Sequence, residues 1–232
     1  MKVEAIIAAG GKGERFGKKE PKQFCLLSGK PILYWTILRF EKCKEVDEII
    51  VVVPRGMKDY AKKILFSFWE FQKVKKITEG GRDRNESVCR GLKEIDKNTN
   101  LVVIHDGVRP LVSSSFIEKL IQETKKYGAV IPALSVKETL KKVKEDWVRE
   151  TIGKEGIYSV QTPQVFWRDL ISRAYQEAKK YKWKSSDEAT LVEKLGYKVK
   201  VIPGDERNIK ITTPLDIKIA ELLLKEFPKF SL

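Results

Sequence analysis

Short apolar runs, each separated from the next by an amphipathic segment, constrain the fold of this chain most strongly. Four of them are rich in β-branched residues and end at turn signals: Val3–Ala8, Glu48–Val53, 101–105 and 129–134. Such runs are typical of strands buried on both faces of a parallel sheet. Parallel neighbours need crossover connections, which are usually helical and right-handed. The sequence therefore predicts an α/β fold with a doubly wound, mostly parallel sheet.

Helical periodicity fills the segments between these strands and continues after them. Pro31 and Pro214, each at a predicted helix start, support two of these assignments. The predicted helices cover 31–43, 57–71, 86–95, 115–127, 168–181, 187–194 and 214–225, with a further strand at 198–202.

The alternation of strands and helices breaks between residues 136 and 162. Polar and apolar residues alternate there around a turn at Glu145 and Asp146, which predicts a β-hairpin arm. Trp147 and its apolar neighbours would be poorly buried on an isolated arm, so we expect a homodimer that forms through the arm. No linker or repeat divides the chain. We predict a single domain over residues 1–232 with the arm at 136–162.

Histidine and cysteine limit the metal sites that this chain can build. His105 is the one histidine, and three scattered cysteines form no CxxC pair. This excludes multi-histidine zinc sites and predicts no disulfide framework. Any metal should be a hard, oxygen-bound ion such as Mg²⁺.

Charge and hydropathy narrow the class of partner and the location. The formal net charge is +14, which favours anionic partners such as phosphorylated small molecules or nucleic acid. The basic residues are spread out and are not interleaved with aromatic residues in a recognisable nucleic-acid motif, so we expect no nucleic-acid partner. The sequence has no apolar run long enough for a membrane span, and we expect a cytoplasmic protein.

The first predicted strand leads into IIAAGGKGERFGKKEPKQF, residues 6–24. The stretch fits neither the Walker A pattern nor the GxGxxG dinucleotide fingerprint. Small residues at the end of a parallel strand still let backbone amides approach a phosphate, and Gly13 keeps the loop compact. Arg15 and Lys22 add cations of the kind that phosphoryl transfer requires. The alternative is that these cations only make the loop soluble.

Three further clusters follow predicted strands. In HDGVRP, Asp106 is a candidate ligand for Mg²⁺ and Arg109 a candidate partner of Asp106 or of phosphate, while His105 is expected to be packed or hydrogen-bonded. In GGRDRNESV, the glycine backbone and the Ser87 hydroxyl would suit contacts with the edge of a nucleotide base. The alternative is that Glu86 and Ser87 only cap the helix. GDERNIKIT carries Lys210, which by default would be a surface residue.

These clusters, together with PKQF, ETL, QTPQVF and SDEA, occur in an order that resembles the 2-C-methyl-D-erythritol 4-phosphate cytidylyltransferase family over nearly the whole chain. The resemblance implies transfer of a cytidylyl group from CTP to the methylerythritol phosphate with a divalent metal, usually Mg²⁺. The substrate phosphate attacks the α-phosphorus in line and pyrophosphate leaves. The reaction belongs to the non-mevalonate route to isoprenoids. The related ribitol-phosphate cytidylyltransferases are the alternative family.

The resemblance also implies roles for individual residues. Arg15 and Lys22 match the pair that stabilises the pentacoordinate transition state, and Lys210 matches the lysine that positions the attacking phosphate. The remaining matches are CTP contacts at Ala8, Ala9, Gly10, Gly81 and Ser87, metal or sugar-phosphate contacts at Asp106 and Arg109, Thr139 donated across the dimer, and further contacts at Thr162 and Ser186.

The sequence departs from the family pattern at two positions that matter for the site. Lys154 stands where a second positioning arginine is typical, which keeps the charge but loses the bidentate fork. Arg82 stands where an acidic or neutral residue is expected. We therefore expect looser orientation of the substrate phosphate and a changed base contact.

Overall fold

The computed structural model describes residues 1–11, 21–68 and 70–226, so the predicted site residues Gly13 and Arg15 lie outside the described residues. The strands are β1 (Val3–Ala8), β2 (Leu26–Leu27), β3 (Lys30–Pro31), β4 (Glu48–Val53), β5 (Val74–Glu79), β6 (Leu101–Asp106), β7 (Ala129–Ser135), β8 (Leu140–Lys144), β9 (Trp147–Ile152), β10 (Tyr158–Val160), β11 (Gln164–Trp167) and β12 (Lys200–Pro203). The helices are α1 (Ile32–Glu41), α2 (Lys58–Phe66), α3 (Arg84–Lys93), α4 (Ser114–Tyr127), α5 (Arg168–Lys180), α6 (Glu188–Lys194) and α7 (Pro214–Glu226).

The central sheet confirms the doubly wound, mostly parallel prediction. β1 pairs in parallel with β4 on one side and with β6 on the other, so that Ala8 lies opposite both Val52 and Asp106. The chain first builds outward through β4 and β5 and then returns to the far side of β1. The topological switch point therefore lies between the carboxyl ends of β1 and β6, where open α/β sheets bind their ligands.

Beyond β6 the sheet is mixed. β11 runs antiparallel between β6 and β7, and β12 pairs in parallel with the other edge of β7. β10 is antiparallel to the carboxyl-terminal part of β7. The short β11 brings the segment just before it, which contains Thr162, beside the end of β6.

Helices cover both faces of the sheet, because strands buried on both faces leave apolar side chains on each. α1, α2, α4 and α7 pack on one face, and α3, α5 and α6 on the other. Capping side chains fix helix starts: that of Asp83 accepts from the Glu86 N–H at α3, that of Ser113 from the Phe116 N–H at α4, and that of Asp187 from the Thr190 N–H at α6. None of the helices in the described ranges is long and apolar enough to cross a bilayer.

The arm is the hairpin of β8 and β9, which form a two-stranded sheet of their own. Its turn residues Glu145 and Asp146 have φ of 52° and 63°, the left-handed pair of a two-residue hairpin turn, as the sequence predicts. The hairpin is shorter than the predicted range 136–162, because β10 at the end of that range belongs to the central sheet.

Candidate active site

Three cations from separate parts of the chain converge on Asp106, the last residue of β6. Arg84 Nε donates to Oδ1 at 2.8 Å, and Lys210 Nζ donates to Oδ2 at 2.8 Å. Arg109 Nε lies 3.6 Å from Oδ2. The fold thus brings together three residues singled out in the sequence, Asp106, Arg109 and Lys210, at the switch point of the sheet.

The surrounding charges keep Asp106 ionised. Burial opposes ionisation, since this side chain is almost inaccessible, but the charges of Arg84 and Lys210 outweigh it and hold the pKa of the carboxyl well below its usual range. The same pairing raises the pKa of Arg84 against the opposing effect of its burial, with Glu188 and Asp106 as the causes. The site therefore carries fixed charges at neutral pH.

Arg84 and Glu188 were not singled out from the sequence. Arg84 begins α3 and bridges two carboxylates, since its Nη1 donates to Glu188 Oε1 at 2.7 Å. Glu188 begins α6, is fully buried, and also accepts the Tyr175 hydroxyl at 3.0 Å. One signal was available: Glu188 directly follows an Asp that caps an otherwise apolar helix start, and a buried carboxylate there needs a cationic partner.

His105 is a packed, hydrogen-bonded residue, as expected. Its Nε2 donates to the Arg109 carbonyl at 3.0 Å, because a carbonyl can only accept. Nδ1 therefore accepts from the Thr162 hydroxyl at 3.0 Å, and Thr162 Oγ1 accepts from the Asp106 N–H at 3.1 Å. Burial lowers the pKa of His105 to about 3, so the ring is neutral. This chain of bonds fixes the turn that follows β6.

The loop before Lys210 is tied to the same turn. The side-chain amide of Asn208, fully buried, donates to the Thr162 carbonyl at 2.8 Å, and the backbone carbonyl of Asn208 accepts from Arg109 Nη1 at 2.7 Å. Gln161 Nε2 donates to the Asp205 carbonyl at 2.8 Å. Lys210 is thus positioned by a hydrogen-bonded loop and is not a freely placed surface lysine.

A cleft of about 350 Å³ opens beside this cluster. Five of the predicted site residues line this cleft: Asp106, Arg109, Thr162, Ser186 and Lys210. The cleft also includes polar residues of β11 and α6, among them Gln164, whose amide donates to the Asp187 carboxylate at 2.8 Å. Its size and polarity suit a small phosphorylated molecule.

The residues predicted to bind CTP meet on the neighbouring side of the switch point. A Cβ added at Gly10 or at Gly80 would lie 2.6 Å from Ser87 Oγ, so both backbones pack directly on that side chain. Ser87 Oγ donates to the Asp83 carbonyl at 2.7 Å and accepts from the Gly81 N–H at 3.1 Å. Ala8 and Ala9 lead into this contact at the end of β1. The fold thus gathers Ala8, Ala9, Gly10, Gly81 and Ser87, although their contacts with CTP remain a prediction.

The other predicted residues lie outside the described lining of the cleft. Lys22 begins a short 3₁₀ turn that follows the first loop. Thr139 and Lys154 are exposed at the base of the arm, where Lys154 Nζ donates to the Lys137 carbonyl at 2.8 Å. Arg82 is exposed and pairs with Glu86, whose pKa falls to about 2 as a result.

Asp106 is also the predicted metal ligand. Over the described parts of the chain, no group of three or more histidine, cysteine or acidic side chains is arranged to hold a metal ion. Mg²⁺ at phosphate-transfer sites, however, takes most of its ligands from the substrate and water and needs one or two carboxylates. The ionised oxygens of Asp106 at the cleft fit that limited role.

Comparison with known proteins assigns the family. The family model described as 2-C-methyl-D-erythritol 4-phosphate cytidylyltransferase matches residues 3–226. A protein of that name from Alkaliphilus metalliredigens is 42% identical over 226 residues, covering 97% of this chain and 94% of the relative. Among solved structures, a 4-diphosphocytidyl-2C-methyl-D-erythritol synthase from Anaerococcus prevotii has a TM-score of 0.82 at 35% identity, covering 97% of this chain and 96% of that one.

The solved structure of a 2-C-methyl-D-erythritol 4-phosphate cytidylyltransferase from Thermus thermophilus has a TM-score of 0.81 at 30% identity, and the match covers 97% of this chain and 100% of that one. Fold, length and sequence thus agree across almost all of the chain. The protein belongs to the 2-C-methyl-D-erythritol 4-phosphate cytidylyltransferase family.

Proposed function

We propose that this protein transfers the cytidylyl group of CTP to 2-C-methyl-D-erythritol 4-phosphate. The products are 4-diphosphocytidyl-2-C-methyl-D-erythritol and pyrophosphate, and the reaction serves isoprenoid precursor biosynthesis. The family match over residues 3–226 supports this reaction. The single structural observation that carries it is the convergence of Arg84, Arg109 and Lys210 on Asp106 at the switch point.

The chemistry requires positioning and positive charge. The acceptor phosphate is already an anionic nucleophile, so no general base is needed. Lys210, held by Asp106 at 2.8 Å, orients that phosphate for in-line attack on the α-phosphorus. Lys22 and Arg15 neutralise charge that develops on the transferring group. Lys154 is the second positioning cation, and Thr139, Thr162 and Ser186 contact the acceptor.

Mg²⁺ would be held by Asp106 together with the phosphates of CTP. When bound, it neutralises phosphate charge and so favours departure of pyrophosphate. Both carboxylate oxygens of Asp106 are paired, one with Arg84 and one with Lys210, so a bound Mg²⁺ would share this carboxylate with them.

We further propose a homodimer formed through the arm. Trp147 is 73% exposed, and apolar side chains of both arm strands lie at the surface beside it. Aromatic side chains presented in this way are typical anchors of protein interfaces. A second copy of the chain would bury them and would bring Thr139 and Lys154 of one subunit towards the cleft of the other. The cytoplasmic location stays a prediction.

Pyrophosphate release tests the function directly. The protein is incubated with CTP and Mg²⁺ and with either methylerythritol phosphate or ribitol phosphate. We expect release with the first acceptor only. Release with ribitol phosphate alone would keep the mechanism and change the acceptor, and no release with either acceptor would contradict the proposal. Lys22→Ala should retain the fold by circular dichroism and lose activity by orders of magnitude.

A further inference from the structure

Gln23 is a buried side chain that the mechanism above does not use. It follows Lys22 in the 3₁₀ turn and is 2% exposed. Its Nε2 donates to the Ala9 carbonyl at 2.6 Å and to the Gly11 carbonyl at 3.0 Å. One amide group thus holds two carbonyls of the loop that follows β1.

The turn that carries Gln23 is itself well anchored. The Phe24 N–H donates to the Pro21 carbonyl at 2.9 Å, and the Phe24 ring is buried with its centroid 5.1 Å from that of Tyr60. The Cys25 carbonyl accepts from the Ile32 N–H at the start of α1. Because the turn is fixed on both sides, Gln23 can impose a position on the loop.

The two hydrogen bonds determine which way the loop amides point. In a trans peptide the C=O and the following N–H lie on opposite sides. Holding the Ala9 carbonyl toward buried Gln23 therefore aims the Gly10 N–H away from the interior. The Ala9 N–H is already used, since it donates to the Val52 carbonyl of β4 at 2.8 Å. Gly10 is thus the amide that this arrangement presents at the switch point.

The opposite side of the loop is also fixed. Gly10 packs on Ser87, where an added Cβ would lie 2.6 Å from Oγ, so the backbone cannot retreat towards α3. Gln23 and Ser87 hold the same short stretch of backbone from two directions.

We propose that Gln23 is a positioning residue for the nucleotide: it sets the backbone of Ala9, Gly10 and Gly11 so that the Gly10 N–H faces the phosphates of CTP. The inference rests on the proposed function in taking CTP as the ligand. It also links nucleotide binding to Lys22, because the two side chains share one turn.

Gln23→Met tests this inference, because methionine keeps the length of the side chain and removes the donor. We expect the KM for CTP and the calorimetric Kd for CTP with Mg²⁺ to rise about tenfold, while the KM for the acceptor changes less than about twofold. A purely structural role would instead lower the active fraction, reducing kcat with the CTP affinity unchanged. That result, or a CTP Kd within about twofold of wild type, would overturn the inference.

Two further variants complete the design. Thr124→Val removes another buried hydrogen bond, from Thr124 Oγ1 to the Leu120 carbonyl within α4, and should leave the CTP Kd unchanged. Gln23→Glu tests the positioning role of Gln23 if Gln23→Met does not fold. A carboxyl buried against two carbonyls is neutral at lower pH and can then donate, so its CTP affinity relative to wild type should improve from pH 8 to pH 6. A ratio that does not change with pH would overturn the inference.

Failure of this inference is distinguishable from failure of the proposed function. If the wild type binds CTP but releases no pyrophosphate, the reaction is wrong and the calorimetry on Gln23→Met still decides the role of Gln23. If the wild type turns over and Gln23→Met binds CTP normally, only the inference fails. If the wild type binds no CTP, both are wrong.

Discussion

The Asp106 cleft and the β8–β9 arm treat polar and apolar side chains in opposite ways. In the cleft, charged groups are buried and paired: Asp106 is 5% exposed and contacts three cations. In the arm, apolar groups are exposed: Trp147 is 73% and Val148 60% accessible. Each is the reverse of what a soluble domain usually does with such side chains.

The difference shows how much each region depends on a second molecule. Buried charges are tolerated only when their partners are already in place, and the ion pairs around Asp106 all form within one chain. An isolated two-stranded hairpin is marginal in water, and its apolar side chains gain nothing until something covers them. The charged cluster of the cleft is therefore preorganised, whereas the arm leaves apolar side chains exposed, in line with the homodimer proposed above.

The largest expected effect comes from removing the negative charge of Asp106 at the centre of the cleft. Asp106→Asn leaves Arg84 and Lys210 without their shared anion, and we expect it to lower the free energy of unfolding by about 3 kcal/mol. Because Lys210 loses its positioning, kcat/KM for the cytidylyl transfer should fall at least about 100-fold. Urea denaturation and steady-state kinetics measure the two effects.

The matched control lies in the arm. Glu150→Gln removes a carboxylate whose lysine partner, Lys142, is 3.9 Å away, and both side chains are more than half exposed. It should leave both stability and kcat/KM near wild type, since exposed ion pairs contribute little. Similar losses in the two variants would refute the contrast between a preorganised cleft and a solvent-exposed arm.

The next effect concerns His105 and acid stability. Its folded pKa is about 3, against about 6.5 in an unfolded chain, so between those values only the unfolded state takes up the proton. Stability therefore falls as the pH drops from about 6.5 towards 3, by about 2 kcal/mol already at pH 5. Urea unfolding of His105→Gln should show little change between pH 7 and pH 5. An equal slope in both proteins would assign the pH dependence to other groups.

A comparable but purely intermolecular effect is expected for the arm. Trp147→Ser should weaken the proposed dimer about 30-fold, as loss of an interface tryptophan typically does, because the side chain is exposed in the single chain. Sedimentation measures the dimer, and urea unfolding of the dissociated chain should change by less than about 0.5 kcal/mol. Tyr181→Ser, a similarly exposed aromatic outside the arm, should not affect association. Dissociation by both variants, or by neither, would argue against an arm interface.

The smallest effect is predicted at the base of the arm. Lys154→Arg keeps the positive charge and restores the guanidinium fork that the family pattern carries, so kcat/KM should change less than about threefold. Lys154→Met should lower it far more. Steady-state kinetics with varied acceptor concentration measures both. A large loss in the arginine variant would show that the cleft requires an ammonium group of this size.

Local patterns predicted most of the fold. β-Branched runs and helical periodicity are properties of neighbouring residues, and they located β1, β4, β6 and β7 and the helices that cover them. The turn at Glu145 and Asp146 followed from the alternation of polar and apolar residues on either side. β11 was not identified, because four residues carry too little pattern and its pairing depends on β6 and β7.

The site was predicted less completely, for a related reason. Asp106 and Lys210 stand out because each follows a strand or a turn-rich loop. Arg84 and Glu188 do not, because their importance lies in a contact between residues 104 apart in the sequence. Gln23 was visible in the PKQF motif, but its role depends on the direction of two backbone carbonyls, which no side-chain pattern records.

The pairing around Asp106 has a consequence for competition between anions. Three cations, Arg84, Arg109 and Lys210, line the cleft together with three carboxylates, those of Asp106, Asp187 and Glu193, so the lining carries no net charge in a chain that carries +14. Inorganic phosphate, which is abundant in cells, therefore encounters cations that are already paired with carboxylates. A phosphate ester also makes contacts through its carbon skeleton. Those contacts can offset the loss of the ion pairs when its phosphate replaces a carboxylate. We therefore expect the cleft to bind inorganic phosphate weakly and to remain available to a phosphorylated substrate at lower concentration.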